Sequence, residues 1–150
     1  MFELTCTVTV EEVSEIRRLV ERLHRRFVPN DEDISRVAMA THELLENAIK
    51  FSTDGRAMLR IDVPSDGEVR ITTRNRANKA DLAGLQRLAD ELQAADDKMV
   101  FYVGLMQRNP ESRGGLGIGR VAAEADMQIA LQLNGDVVEV SARADLAHAA

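Results

Sequence analysis

Glu43 and Asn47 stand four residues apart in the segment ATHELLENAIKFS. In a helix this spacing places both side chains on one stripe, together with Lys50. A carboxylate and an amide oxygen on one stripe can hold a water molecule and a hard cation, which is the pairing that a magnesium–nucleotide site requires. The same residues are also ordinary for a solvated helix face with an ion pair between Glu46 and Lys50. The spacing alone leaves both interpretations open.

A glycine-rich segment, GGLGIG at 114–119, is the second candidate site. Glycines let backbone N–H groups face a ligand without a Cβ in the way, and a helix that begins directly after them adds its positive end. Arg113 and Arg120 flank the segment and can form charge-assisted hydrogen bonds with phosphate oxygens. The segment is a candidate polyphosphate site, and a mobile surface loop of the same composition is the alternative.

The elements that must position these residues alternate between strand and helix. Period-two and period-3.6 patterns and turn signals predict, in the first half, a strand at 2–10, a helix through Phe27, a second helix from a cap at Asp31 or Asp33 to about Phe51, and a hairpin of AMLRIDV and EVRITTR. In the second half they predict two helical pieces between Lys79 and Gln107 that meet near 94–98, and then a loop NPESRGGLGIG. A short helix RVAAEA and a final hairpin about Asn134-Gly135 follow. This order predicts an α+β two-layer sandwich, a mixed and mostly antiparallel sheet with helices on one face. We expect one domain over residues 1–144 and a flexible tail at 145–150.

The second helix has a clear apolar side. At about 100° per residue, that side consists of Ile34, Val37, Ala38, Thr41, Leu45 and Ala48. It is predicted to face the sheet. Glu43 and Asn47 are predicted to lie opposite.

Composition limits the partners. The chain has 150 residues, of which 45% are hydrophobic and 29% charged, with a net charge of −6. The 19 basic residues are interspersed with acids, so neither a nucleic acid nor an anionic membrane surface is expected as a partner. Cys6 is the single cysteine, and the chain lacks both a signal-peptide pattern and an apolar run of about 18 residues. A cytoplasmic protein with protein or small-molecule partners is expected.

In combination and in this order, the motifs resemble the GHKL ATPases, and specifically their single-domain bacterial members, the anti-sigma-factor or partner-switch serine kinases. The resemblance rests on the second helix with Glu43-x-x-x-Asn47-Ala48-x-Lys50, the central hairpin and GGLGIG. It implies the histidine-kinase-like ATPase fold with Mg-ATP as cofactor.

The resemblance also implies roles for individual residues. Glu43 matches the position that activates a water or hydroxyl, Asn47 the magnesium ligand, and Lys50 a position near phosphate. Gly115, Gly117 and Gly119 match a glycine box that closes over the phosphates. The implied partner is a regulatory protein, either an antagonist with an acceptor serine or a sigma-factor-like target, and a homodimer is compatible with this family.

Two stretches depart from that family. Where it has Asp-x-Gly-x-Gly to bind adenine, this chain has Asn75-Arg-Ala-Asn, so Asn75 is the candidate acceptor for the adenine amine. The helical segment that follows is longer than the usual lid, and its leucines are expected to pack on the sheet. Met99, Tyr102 and Met106 within it are candidates for an adaptable partner surface. His24 and His42 are expected to be helix residues without a chemical role.

Three functions remain open. The first is an ATP-dependent serine kinase of a partner switch. The second is a pseudo-ATPase that binds a protein without turnover. The third is the catalytic half of a split histidine kinase. Retention of Glu43 and Asn47 favours chemistry, and loss of Asp-x-Gly-x-Gly favours the pseudo-enzyme.

Overall fold

A computed structural model describes residues 2–27, 30–63, 67–108 and 115–146. The elements are β1 (Phe2–Thr9), a 3-10 turn (Val10–Glu12), α1 (Val13–Phe27), α2 (Asp31–Phe51), β2 (Arg56–Val63), β3 (Glu68–Arg76), α3 (Lys79–Ala94), α4 (Lys98–Arg108), α5 (Gly115–Ala123), β4 (Gln128–Asn134) and β5 (Val137–Asp145). None of the helices in these ranges has the length and hydrophobicity of a transmembrane span.

The five strands form one open sheet in the order β1-β2-β3-β5-β4, and all four pairings are antiparallel. The predicted α+β class is therefore confirmed. Both predicted hairpins are present, and glycines with positive φ, Gly67 at 87° and Gly135 at 63°, lie in their turns. Such φ values favour glycine because a Cβ would clash with the backbone.

The core lies between one face of the sheet and the helices. Alternate residues of β2, β3 and β5 are buried, and the register aligns them in rows, for example Ile61 with Ile71 and Ile71 with Ala142. The residues between them point to the opposite face, which carries charged side chains. This period-two alternation fixes which side of the sheet the helices cover.

Helix α2 is the longest helix of the described ranges and packs on β2 and β3, on α1 and on α5. Its cap is Asn30, whose side chain accepts a hydrogen bond from Glu32 N at 2.8 Å. The predicted cap at Asp31 or Asp33 is wrong, because Asp33 is buried and bonds Arg36 at 2.9 Å. Arg36 Nε in turn donates to Ala125 O at 2.8 Å. The N-terminal part of α2 is thereby tied to the chain just after α5.

The predicted break in the long helical segment is confirmed. Helix α3 ends at Ala94, and Ala95 is extended, with φ −76° and ψ 126°. Helix α4 then starts afresh, with Asp97 Oδ1 accepting from the backbone N–H groups of Met99 and Val100 at 2.8 and 3.1 Å. The predicted loop through Gly119 is wrong in its second half, because α5 already begins at Gly115.

We predict that truncation of the central core is costly. Leu59 is fully buried on β2 and its neighbour Met58 faces the other side of the sheet. Leu59→Ala should lower the free energy of unfolding by about 2–5 kcal/mol, because it leaves a cavity. Met58→Ala should cost about 1 kcal/mol or less. Urea denaturation measures both, and equal losses would contradict the assigned facing of the sheet.

Candidate functional site

Glu43, on α2, is held by an arginine from α5. Arg120 Nη1 donates to Glu43 Oε1 at 3.0 Å, and Arg120 Nε donates to Glu124 Oε2 at 2.8 Å. The Arg120 side chain is 45% exposed and that of Glu43 only 19%. The hydrogen bond that Arg120 donates to Glu124 raises the pKa of Arg120 above its ordinary value; partial desolvation opposes the rise, and the negative charges of Glu124 and Glu43 add to it. Arg120 is therefore a permanent cation at the junction of α2 and α5.

Two of the predicted phosphate-loop glycines make close contacts between helices. A Cβ at Gly117 would lie 2.9 Å from Glu43 Oε2, and one at Gly119 would lie 3.1 Å from Leu105 Cδ1 and Tyr102 Cδ1. Gly117 thus lets α5 approach α2, and Gly119 lets α5 approach α4. The small residues serve helix packing in this arrangement.

Tyr102 completes the junction from the α4 side. Partial desolvation, and next the negative charge of Glu124, raise the pKa of its hydroxyl, while Arg120 opposes the rise and Glu43 adds to it. Tyr102 therefore stays protonated and neutral beside Glu43 and Arg120. The cluster of Glu43, Tyr102, Arg120 and Glu124 brings together α2, α4 and α5.

Asn47 does not lie on an exposed stripe. The predicted sheet-facing residues of α2 are all buried, but so is a second stripe that consists of Asp33, Val37, Ala40, Leu44 and Asn47. The expected orientation of Asn47 is wrong because α2 packs on α1 and α5 as well as on the sheet. Asn47 is 6% exposed, and its Oδ1 is buried without a hydrogen-bond partner among the described residues. An orphaned buried amide oxygen is costly unless something binds it.

The remaining candidates are spread over the fold. Lys50 is exposed in the last turn of α2. Asn75 is buried on β3, donates from Nδ2 to Arg76 O at 3.3 Å, and lies beside a depression of about 420 Å³ that Thr7 and Arg56 also line. Arg113 lies outside the described residues.

The structure also bears on His42 and on the ion pair between Glu46 and Lys50 that the sequence left open. His42 Nε2 is 3.0 Å from Glu46 Oε2. Within the described ranges, Glu46 therefore pairs with His42 and not with Lys50. Nδ1 of His42 is buried and unpartnered among those residues.

The fit to a magnesium nucleotide is partial. Asn47 Oδ1 is an unsatisfied oxygen of the kind that ligates magnesium. The described residues contain no cluster of three or more histidine, cysteine or carboxylate side chains arranged for a metal ion. From Gly115 onward the glycine segment is a helix packed on Glu43 and α4, so in this arrangement it does not fit an open phosphate loop.

Helix α4 exposes an apolar outer face. Of its residues, only Met99 and Met106 were predicted from the sequence as part of a partner surface. Phe101 is buried and Leu105 is partly buried on the inner side. The outer face consists of Met99, Val100, Val103 and Met106, which are 38–68% exposed. These four are at helical spacing, so they form one continuous stripe. The signal in the sequence was a helix that is apolar all round, which is typical of a helix covered on both sides.

Comparison with known proteins supports the fold. No protein-family model and no curated protein sequence matches the chain. Among solved structures, it is similar to a chain in the crystal structure of the SiaB–SiaC complex from Pseudomonas aeruginosa. The TM-score is 0.69 and the identity 16%, over 96% of this chain and 89% of that chain. At this identity the likeness shows a shared fold.

The comparison also corrects the family assignment made from the sequence. The similar structure is a chain of the SiaB–SiaC complex and not a GHKL ATPase. The motif that suggested the family has another physical role here, because Gly117 and Gly119 serve the contacts of α5 with α2 and α4.

We predict that replacing a glycine of α5 by alanine affects stability differently from the same change in an uncrowded helix. A Cβ at Gly84, in α3, meets no atom within 4 Å, so Gly84→Ala should raise the free energy of unfolding by about 0.5–1 kcal/mol. Gly119→Ala gains the same helix propensity but crowds Tyr102 and Leu105. It should be less stable than Gly84→Ala by about 1–3 kcal/mol. Equal effects in thermal or urea unfolding would rule out the close packing of α4 on α5.

Proposed function

We propose that this protein is a signalling regulator of the partner-switch type that acts by binding a second regulatory protein. The observation that carries the proposal is the apolar outer face of α4. A soluble domain rarely leaves several large apolar side chains together in water unless a partner covers them. The similarity to a chain from a complex of two proteins supports the same function.

The chemistry of the α4 outer face suits a protein partner. Its two methionines are flexible and polarizable, so they repack against different surfaces, and its two valines are rigid. A helix groove or an apolar helix of the partner is the complementary shape. The partner is expected to bury the face and exclude water from it, which supplies most of the binding free energy.

We predict that Val100→Glu weakens partner binding without loss of fold. Val100 is 68% exposed on the face, and Val10, on the 3-10 turn, is 63% exposed outside it. Val10→Glu is therefore a matched control. A photo-cross-linker placed at Val103 captures candidate partners, each of which is then purified and titrated against the two variants by calorimetry. Val100→Glu should weaken binding about tenfold or more, since a charge would be buried in the interface.

Three results would contradict this proposal. One is that Val100→Glu and Val10→Glu bind the purified partner equally well. Another is that no protein cross-links through Val103 more than through a cross-linker at Val10. The third is light scattering that shows a homodimer dissociated by Val100→Glu, since the face would then be covered by a second copy.

A second candidate function is binding of Mg-ATP, with phosphotransfer to a protein serine. The unpartnered Oδ1 of Asn47 is the observation that favours it. Bound Mg-ATP would supply the phosphoryl group. Glu43 would accept the hydroxyl proton of the serine once Arg120 no longer occupies Oε1 of the carboxylate. Movement of α5 away from α2 would both free Glu43 and open space at the glycine segment.

We predict that Mg-ATP, if it binds, raises the melting temperature through Asn47. Ligand at about 100 times its dissociation constant adds about 2.7 kcal/mol, which corresponds to several degrees for a domain of this size. The rise should require magnesium and disappear in Asn47→Ala. Glu46→Ala, exposed on the same helix, should leave it unchanged. No shift at saturating nucleotide would eliminate this candidate and leave the protein-binding function intact.

A further inference from the structure

Strand β4 forms one edge of the sheet and lacks the usual protection of an edge strand. Within the described part of the chain it pairs with β5 alone, so its second edge has no strand beside it. Proteins usually protect such an edge with lysine, proline or a bulge, because unpaired backbone groups bind other strands. The β4 sequence QIALQLN contains neither a charged residue nor proline, and its register with β5 runs from Gln128 to Asn134 without a bulge. The edge of β4 is therefore open to another strand.

The geometry of the hairpin determines which backbone groups of β4 face this edge. Its two-residue turn is closed by Asn134 opposite Val137. The closing pair of such a turn is hydrogen-bonded, and hydrogen-bonded pairs recur at every second residue of an antiparallel ladder. The backbone N–H and C=O groups that point to the free edge therefore belong to the odd-numbered residues, Ile129, Leu131 and Leu133.

The same three residues carry apolar side chains that are only partly buried against the core. Their register partners on β5 are buried, and these are Ala142, Val140 and Val138. The residues of β4 are more exposed because, among the described residues, they have a neighbouring strand on one side only. Each apolar row of the sheet thus ends at β4 with a side chain that another strand could cover.

A neutral groove runs beside this edge on the helical side. It has a volume of about 210 Å³ and lies between α3, which contributes Leu88, Ala89, Leu92 and Gln93, and residues 129–132 of β4. No charged side chain lines it, although 29% of the residues in the chain are charged. Two copies of a chain with a net charge of −6 can therefore meet here without placing like charges against each other.

The sequence of β4 is symmetric about Leu131 in the character of its residues. The pairs at equal distances from Leu131 are Ala130 with Gln132, Ile129 with Leu133, and Gln128 with Asn134. Two β4 strands in antiparallel contact about a two-fold axis at Leu131 would place apolar residues opposite apolar ones and the terminal amides opposite each other. The edge-facing residues of one copy would also meet those of the other, as hydrogen bonding between the strands requires.

We propose that this protein forms a homodimer in which the β4 strands of two copies pair antiparallel about Leu131 and join the two sheets into one. Each pair of edge-facing residues exchanges two hydrogen bonds across the interface. The apolar rows continue from one copy into the other, so the side chains of Ile129, Leu131 and Leu133 lose contact with water. An extended segment of another protein could also bond to the edge, but the symmetry of β4 and the uncharged groove favour a second copy.

The inference does not rest on the proposed function. The dimer uses the edge of β4, whereas the partner protein is expected on the outer face of α4. Val100→Glu should therefore weaken partner binding and leave the dimer unchanged. Variants of β4 test the dimer alone.

The test places charges at Ala130 and Gln132, which are exposed on the sheet face away from the helices and would lie opposite each other across the dimer. Ala130→Lys combined with Gln132→Lys sets lysine opposite lysine, whereas Ala130→Glu combined with Gln132→Lys sets glutamate opposite lysine. Analytical ultracentrifugation over a series of concentrations should show the intact protein passing from monomer to dimer. The lysine–lysine variant should raise the Kd of the dimer about tenfold or more, and the glutamate–lysine variant should keep it within about threefold of the intact protein.

A second measurement needs no variant. Amide hydrogen exchange at Ile129, Leu131 and Leu133 should be slower in concentrated than in dilute protein, because the dimer bonds these N–H groups. Exchange at Ile71, buried in the sheet centre, should be the same in both.

The inference is overturned if the intact protein stays monomeric at every concentration, which would leave the edge to an extended segment of another protein. It is also overturned if the lysine–lysine variant dimerises as well as the intact protein, or if the glutamate–lysine variant dimerises no better than the lysine–lysine variant. A dimer that Val100→Glu dissociates, or edge amides that exchange equally in dilute and concentrated protein, would overturn it as well.

Discussion

The burial of α2 on two sides is the constraint on which the rest of the structure depends. One stripe of this helix packs on the sheet, and a second buried stripe runs from Asp33 to Asn47. The helix therefore cannot rotate to expose one side without opening an apolar contact on the other. Every candidate residue on α2 has its environment set by these two contacts.

Burial also decides what Glu43 and Asn47 can do. Glu43 lies where α5 approaches closely at Gly117, so its carboxylate is within reach of Arg120. Asn47, one turn later, has an oxygen without a partner among the described residues. The same helix thus holds one polar group that is paired and one that is not. The paired carboxylate is consistent with a binding module at rest, and the unpartnered amide oxygen favours a ligand at this position.

The sequence predicted the elements whose signals are local. Alternation in AMLRIDV and EVRITTR, the Asn134-Gly135 turn and the spacing of apolar residues on α2 each depend on neighbours in the chain, and all three are confirmed. The environment of Asn47 was not predictable in this way, because it depends on α1 and α5, which are distant in sequence. The glycines of α5 were taken for a loop because glycine is common in loops, whereas Gly117 and Gly119 lie in close contact with Glu43 and Tyr102.

Local pattern is equally limited for the surface of the protein. Charged residues on the sheet face turned away from the helices alternate along each strand, but only the register brings Arg70 opposite Arg143. Met99 and Met106 of the α4 outer face were predicted from the sequence. Val100 and Val103 are exposed because the opposite side of α4 packs on α5, which the sequence pattern does not specify. Local pattern therefore indicates which residues are apolar or charged, and tertiary packing determines which of them remain accessible.

The central claim is that this protein binds a regulatory protein through α4. The most direct test is hydrogen–deuterium exchange of its backbone amides, measured with and without the partner captured by cross-linking. The account predicts slower exchange of backbone amides in Lys98–Arg108 when the purified partner is added, with β2 and β3 amides in the sheet centre unchanged. Exchange in α4 that is the same with and without the bound partner would contradict it.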